Sequence, residues 1–157
     1  MKKLFIVMWL LCCAALAQND NPVSVNLEIF VVSEVEGQER LTAATTARPG
    51  QVVEYRLSAR NNGDTTLPAG TVVITGPVPD GTTFVANTAT PSSERVLTEF
   101  SINGETYGEP PLIIETDAAQ RTVADPSLYR AIRWTLLEPM EPASEAAFIY
   151  RVVVGEG

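Results

Sequence analysis

Val53-Glu54-Tyr55-Arg56-Leu57-Ser58-Ala59-Arg60 places Val, Tyr, Leu and Ala at every odd position and a charged or polar residue at every even one. Successive side chains of a strand point to opposite faces, so this spacing predicts a half-buried β-strand rather than a helix. Pro49-Gly50 opens the segment and Asn62-Gly63-Asp64 closes it. These residue types accept the backbone angles of tight turns.

The same grammar runs outward in both directions. Upstream, Val23, Val25, Leu27, Ile29 and Val31 alternate with Ser24, Asn26, Glu28 and Phe30. This predicts a first strand over Val23 to Val32 with that apolar set packed inward, ending in the turn-like stretch Glu34 to Gln38. Downstream, strands are expected at Thr71 to Thr75, Thr82 to Ala86, Val96 to Ile102, Leu112 to Ile114, Ala131 to Leu136 and Phe148 to Val153. Gly76 to Gly81 carries two prolines and reads as a corner. Asn103-Gly104 reads as a turn. Asp117 to Ser127 and Glu138 to Ser144 read as loops. No helical period and no internal repeat is evident. About seven to nine short strands with frequent turns predict an all-β fold, an immunoglobulin-like antiparallel β-sandwich.

The N-terminus follows a different rule. Lys2 and Lys3 precede an apolar run from Leu4 to Ala17 that ends in Ala15-Leu16-Ala17, the pattern of a cleavable signal peptide cut between Ala17 and Gln18. The run is shorter than the roughly 20 residues that span a bilayer. Neither Cys12, after Leu11, nor Cys13, after Cys12, follows the small residue expected before a lipidated cysteine. The expected organisation is a signal peptide over 1–17 and one domain over 18–157. The exported chain is then periplasmic, cell-surface or secreted. It keeps 140 of the 157 residues and loses both cysteines and both lysines, so packing alone must hold it together.

Nine arginines against nineteen acidic residues give this mature chain a charge of −10. That argues against nucleic acid, which needs a basic surface to displace counterions, and against an anionic membrane. With no histidine, and no cysteine or lysine after Ala17, the usual nucleophile triads, zinc sites and phosphate loops cannot be built. Carboxylate pairs remain chemically available, but a single small sandwich offers little cleft for them, and no catalytic residue or cofactor is expected. Calcium is the one ion its oxygens could suit, with Asp64, Glu115, Asp117 and Asp125 as candidates. Trp134 shares its strand face with Ile132 and Leu136 and is expected in the core. Tyr107 is the expected exposed aromatic.

Three stretches together resemble a known family. They are Pro49-Gly50-Gln51-Val52-Val53-Glu54-Tyr55, Asn61-Asn62-Gly63-Asp64 and Val78-Pro79-Asp80-Gly81-Thr82-Thr83-Phe84-Val85. Their order is similar to that of the conserved repeat domain, domain-of-unknown-function family eleven, over roughly Val23 to Val154. Thr75-Gly76-Pro77 and Glu141-Pro142-Ala143-Ser144 depart from the family pattern, and there is one copy rather than an array. The resemblance implies an immunoglobulin-like module of bacterial and archaeal surface or secreted proteins, with no functional residue carried over. The expected role is non-catalytic: a structural or protein-interaction module whose partner is an envelope or surface protein. Two alternatives stay open. One is loop-based binding of carbohydrate or calcium. The other is self-assembly by edge pairing of the first strand.

Overall fold

The computed structural model describes residues 22–115 and 120–156. The signal-cleavage residues Ala17 and Gln18, and the calcium candidate Asp117, lie outside them.

Ten strands and one short 3-10 turn make up the described chain. In order they are β1 Val23–Val35, β2 Gln38–Ala43, β3 Val52–Asn61, β4 Val73–Pro77, β5 Thr82–Phe84, β6 Val96–Ser101, β7 Ile113–Glu115, β8 Arg121–Val123, the turn Pro126–Leu128, β9 Ala131–Leu136 and β10 Glu145–Val154. Every strand pair is antiparallel. A five-stranded sheet, β2-β1-β3-β10-β5, shares one apolar core with a three-stranded sheet, β4-β9-β6; β7 and β8 form a small hairpin.

The alternation read from β3 is the frame of the core. Val53, Leu57 and Ala59 are buried, and β10 sets Val152, Phe148 and Ala146 directly opposite them. From the smaller sheet, Ile74, Ile132, Trp134, Leu136 and Phe100 meet this layer. Aromatic rings knit the two together where Trp134 stacks on Phe148 at 5.2 Å; within the larger sheet Tyr150 stacks on Tyr55 at 5.0 Å, and Phe100 of the smaller one lies 4.8 Å from Tyr129, which follows the 3-10 turn. The Trp134 indole N–H donates to the Thr90 carbonyl at 3.1 Å, so burying the ring leaves no unpaired donor.

Thr90 ties the sheets at a second point. Its Oγ1 accepts the Ile149 N–H, its N–H donates to the Ile149 carbonyl, and its carbonyl also accepts from Thr98 Oγ1. Residues 85–90 thus continue along β10 after β5 ends at Phe84, earlier than the expected Ala86. Side-chain bonds replace the regular ladder there, such as the Arg151 N–H donating to Thr88 Oγ1.

Several expectations are corrected. The first strand continues to Val35, because β2, absent from the sequence reading, pairs with Phe30 to Val35. The turn between them narrows to Glu36 and Gly37, both at positive φ, as a two-residue hairpin demands. The third expected strand slides forward to Val73–Pro77, so Gly76-Pro77 lies within β4 rather than in a corner. Pro77 is tolerated because β4 is an edge strand. The expected loop from 117 contains β8, paired with β7, and the 3-10 turn. The final strand is longer than expected, Glu145–Val154.

Tyr150 gives the core a pH dependence. Its hydroxyl donates to the Pro77 carbonyl at 2.6 Å. Burial first, then the neighbouring Tyr55, pushes its pKa above the ordinary value of 10. A group with a raised folded pKa contributes stability that is present below the unfolded value and lost as pH rises through the folded one. The midpoint of chemical unfolding is therefore expected to fall above about pH 10. Tyr150→Phe should flatten that dependence while costing about 1–2 kcal/mol at neutral pH, from the orphaned Pro77 carbonyl.

Candidate functional site

The most distinctive surface is the N-terminal half of β1. The pairing Val25↔Ala59, Leu27↔Leu57 and Ile29↔Tyr55 puts Val25, Leu27 and Ile29 on the same sheet face as the core residues of β3. Yet Val25 is 52 % exposed and Leu27 51 %. The expected inward packing of this apolar set therefore fails at its centre. The five-stranded sheet is broader than the three-stranded one packed on it, and β1 overhangs. Residues 44–47 line the same cavity as Ile29 and Val31, so the inner face nearer β2 gains a cover that Val25 and Leu27 lack.

The backbone is open at the same place. The Ala44 N–H donates to the Ile29 carbonyl at 3.1 Å, so Ile29 turns its peptide groups toward the β2 side. Peptide groups alternate along a strand, so Val25 and Leu27 point theirs to that side too. Pro22, on the opposite parity, accepts from the Asn62 N–H on the β3 side at 2.7 Å. Among the described residues, β2 reaches only to Phe30, and no strand pairs with this side of β1 between Ser24 and Glu28. Natural edge strands are commonly guarded by lysine, proline or a bulge. From Ser24 to Glu28 the only charge is Glu28, and no proline intervenes.

The other face of this sheet carries a tied charge network. Glu54 is 1 % exposed although its strand position alternates with the core residues. It accepts from Arg56 Nε at 2.7 Å and from Arg151 Nε at 2.7 Å. Arg151 also grips Glu39 with two further hydrogen bonds, and the Arg56 guanidinium lies 5.0 Å from the Phe30 ring centre. The hydrogen bonds from Arg151 hold the Glu39 carboxyl below its ordinary value of 4.5. A lowered folded pKa contributes stability that is present above the unfolded value and lost as pH falls through the folded one. The thermal midpoint is thus expected to drop as pH falls below 4.5, and Glu39→Gln should make that drop shallower.

A cavity of about 470 Å³ opens at the far side of the sandwich, with Phe84, Phe100 and Tyr129 together with Pro91, Pro110 and Pro126 in its lining. The sequence reading did not anticipate it, since its lining comes from four separate segments.

The remaining expected site residues are dispersed or engaged. Asp64 lies in the turn after β3, Glu115 ends β7, and Asp125 caps the 3-10 turn by accepting the Ser127 N–H at 2.8 Å. Hydrogen bonding to Ser127 lowers the Asp125 pKa from 3.8. Among the described residues no three His, Cys, Asp or Glu side chains group so as to hold a metal ion. Trp134 is fully buried, as expected. Tyr107 is only half-buried rather than open, because the Arg133 guanidinium covers its ring at 4.2 Å while also pairing with Glu99 at 2.8 Å. No described helix is long and apolar enough to cross a membrane. No family model matches the chain, and no curated protein or solved structure matches it either.

Proposed function

We propose that the chain is an exported, non-catalytic interaction module of the cell envelope, an immunoglobulin-like sandwich that docks through the open edge of β1. The observation that carries this reading is the coincidence of outward backbone groups and exposed apolar side chains at Val25 and Leu27. Strand addition uses that combination: main-chain hydrogen bonds supply affinity, and alternate side chains supply specificity. The leader over residues 1–17 supports export, and the resemblance to the conserved repeat domain supports the envelope setting.

Expression of the full chain in a bacterial host tests export through the intact mass of the exported protein. A mass matching residues 18–157 is expected; an unprocessed chain retained in the cell would overturn the export half. A photoreactive side chain at position 26 tests docking on intact cells, where a covalent adduct is expected and its absence contradicts the edge as a docking surface.

A second reading rests on the cavity beside Phe84, Phe100 and Tyr129: a loop-based site for a small ligand such as a carbohydrate. It predicts that oligosaccharides shift the amide resonances of Phe100 and Tyr129 and leave those of Val25 and Leu27 in place.

A further inference from the structure

We infer that the cavity beside Phe84, Phe100 and Tyr129 takes a small aromatic molecule carrying a positively charged amine, with the ring inside and the amine beside Glu109; this ligand class rests on the small-ligand reading of the cavity above.

The interior is apolar and tied in place. Phe84, Phe100 and Tyr129 are all buried, and their ring centres lie between 4.8 and 5.9 Å apart. Rings this close leave no gap for a cation among them, so they form a floor rather than a cage. Pro91, Pro110, Pro126, Ala86 and Ala89 supply apolar walls. Those walls are held before any ligand arrives. Ser92 Oγ accepts the Thr98 N–H at 2.9 Å, and Phe100 and Gly108 exchange backbone hydrogen bonds at 2.8 and 3.0 Å. Asp125 caps the turn that carries Pro126. A preformed site spares the ligand the cost of ordering loops. Its volume of about 470 Å³ suits a small molecule, and an apolar lining with a few placed polar groups is the usual composition of such sites.

Two of those polar groups point to the occupant. Tyr129 is 3 % exposed, and among the described residues its hydroxyl has no hydrogen-bond partner. No fully buried side-chain oxygen among the described residues lacks a partner. The Tyr129 oxygen therefore keeps an outlet to solvent, and the cavity is the opening that Tyr129 lines. It has a hydrogen bond to offer a bound molecule. Glu109 is the one charged residue in the described lining, is exposed, and has no ion-pair partner among the described residues. With that carboxylate at the cavity and a charge of −8 on the whole chain, amines are attracted and carboxylates and phosphates are repelled. A sugar suits the lining less well. The Thr98 hydroxyl already donates to the Thr90 carbonyl, and Ser92 Oγ is engaged with Thr98. Asn87, Glu109 and Tyr129 remain to meet a whole ring of sugar hydroxyls, and each one left unpaired opposes binding.

The test uses the exported protein recovered from expression of the full chain, isotope-labelled for amide resonances. Phenethylamine, phenethyl alcohol and hydrocinnamate put the same phenyl ring on a positive, a neutral and a negative tail. Phenethylamine should shift the amide resonances of Phe100 and Tyr129 with a dissociation constant on the order of millimolar, as befits so small a molecule. Those of Val25 and Leu27 should stay in place. Phenethyl alcohol should bind roughly two- to fivefold more weakly, the worth of one exposed ion pair, and hydrocinnamate more weakly still. Glu109→Gln, at an exposed position, should keep the unfolding midpoint and the affinity for the alcohol while abolishing the preference for the amine. Ala86→Leu, also exposed, should fill part of the cavity and weaken all three probes. Equal affinity for the amine and the acid would overturn the assigned class, as would a preference that survives Glu109→Gln. Shifts from maltotriose but from none of the phenyl probes would overturn it while leaving the small-ligand reading intact. Silence from all of them would sink that reading as well.

Discussion

Trp134→Ala is expected to lower the free energy of unfolding by about 3–5 kcal/mol, a large part of the roughly 5–15 kcal/mol that domains of this size hold. Trp134 is fully buried and sits at the centre of the aromatic seam, 5.2 Å from Phe148 and 5.9 Å from Tyr150. Truncation removes that burial, opens a cavity the sheets cannot collapse around, and leaves the Thr90 carbonyl with one donor fewer. Thr90 bonds both β10 and β6, so the loss loosens the tie between the sheets as well. The chain has no disulfide to limit the damage if the leader is cut as proposed. Urea unfolding followed by far-ultraviolet circular dichroism checks this: the midpoint should fall sharply while the slope holds. A midpoint within experimental scatter of the parent would show that the indole does not fill the space assigned to it.

Gly76→Ala is expected to cost about 1–3 kcal/mol, with Gly76→Val costing more. A Cβ at this position would lie 2.7 Å from Tyr150 Cε1 and 3.0 Å from Trp134 Cζ3. Both atoms belong to rings locked in the core, so neither can step aside as the end of a flexible chain would. The backbone angle is not the cause, since Gly76 is not among the positive-φ glycines. Gly108→Ala is the control. There the nearest atom is the flexible Leu112 Cδ2 at 3.3 Å, and a change within a few tenths of a kcal/mol is expected. Differential scanning calorimetry of the two variants should separate them clearly; equal midpoints would mean that the rings do not seat against β4 as described.

Both effects lie where the sequence was legible to different degrees. Trp134 could be placed in the core from Ile132 and Leu136 on its own strand, because a period of two needs only local residues. Gly76 could not. Beside Pro77 it has the composition of a corner, and only the approach of Tyr150 from the opposite sheet explains why a strand carries a residue without a side chain. β2 was missed for a related reason. Gln38-Glu39-Arg40-Leu41-Thr42-Ala43 has one half-buried position and no alternation to detect, and its pairing with β1 is what makes it a strand.

The amino-acid sequence by itself determined the charge, the leader signature and the inner faces of β3, β9 and β10, since these depend on residue type and on the two-residue repeat of a strand. Tertiary structure alone decided three things. It buried Glu54 on what the alternation marks as a solvent face, because Arg151 arrives from β10 to pair with it. It drew Asn87, Pro110 and Tyr129 into one cavity. And it left Val25 and Leu27 uncovered although their pattern matches Ile29 and Val31. Alternation says which face of a strand is apolar; how far the opposing sheet extends, and so which part of that face meets water, is settled only when the two layers pack.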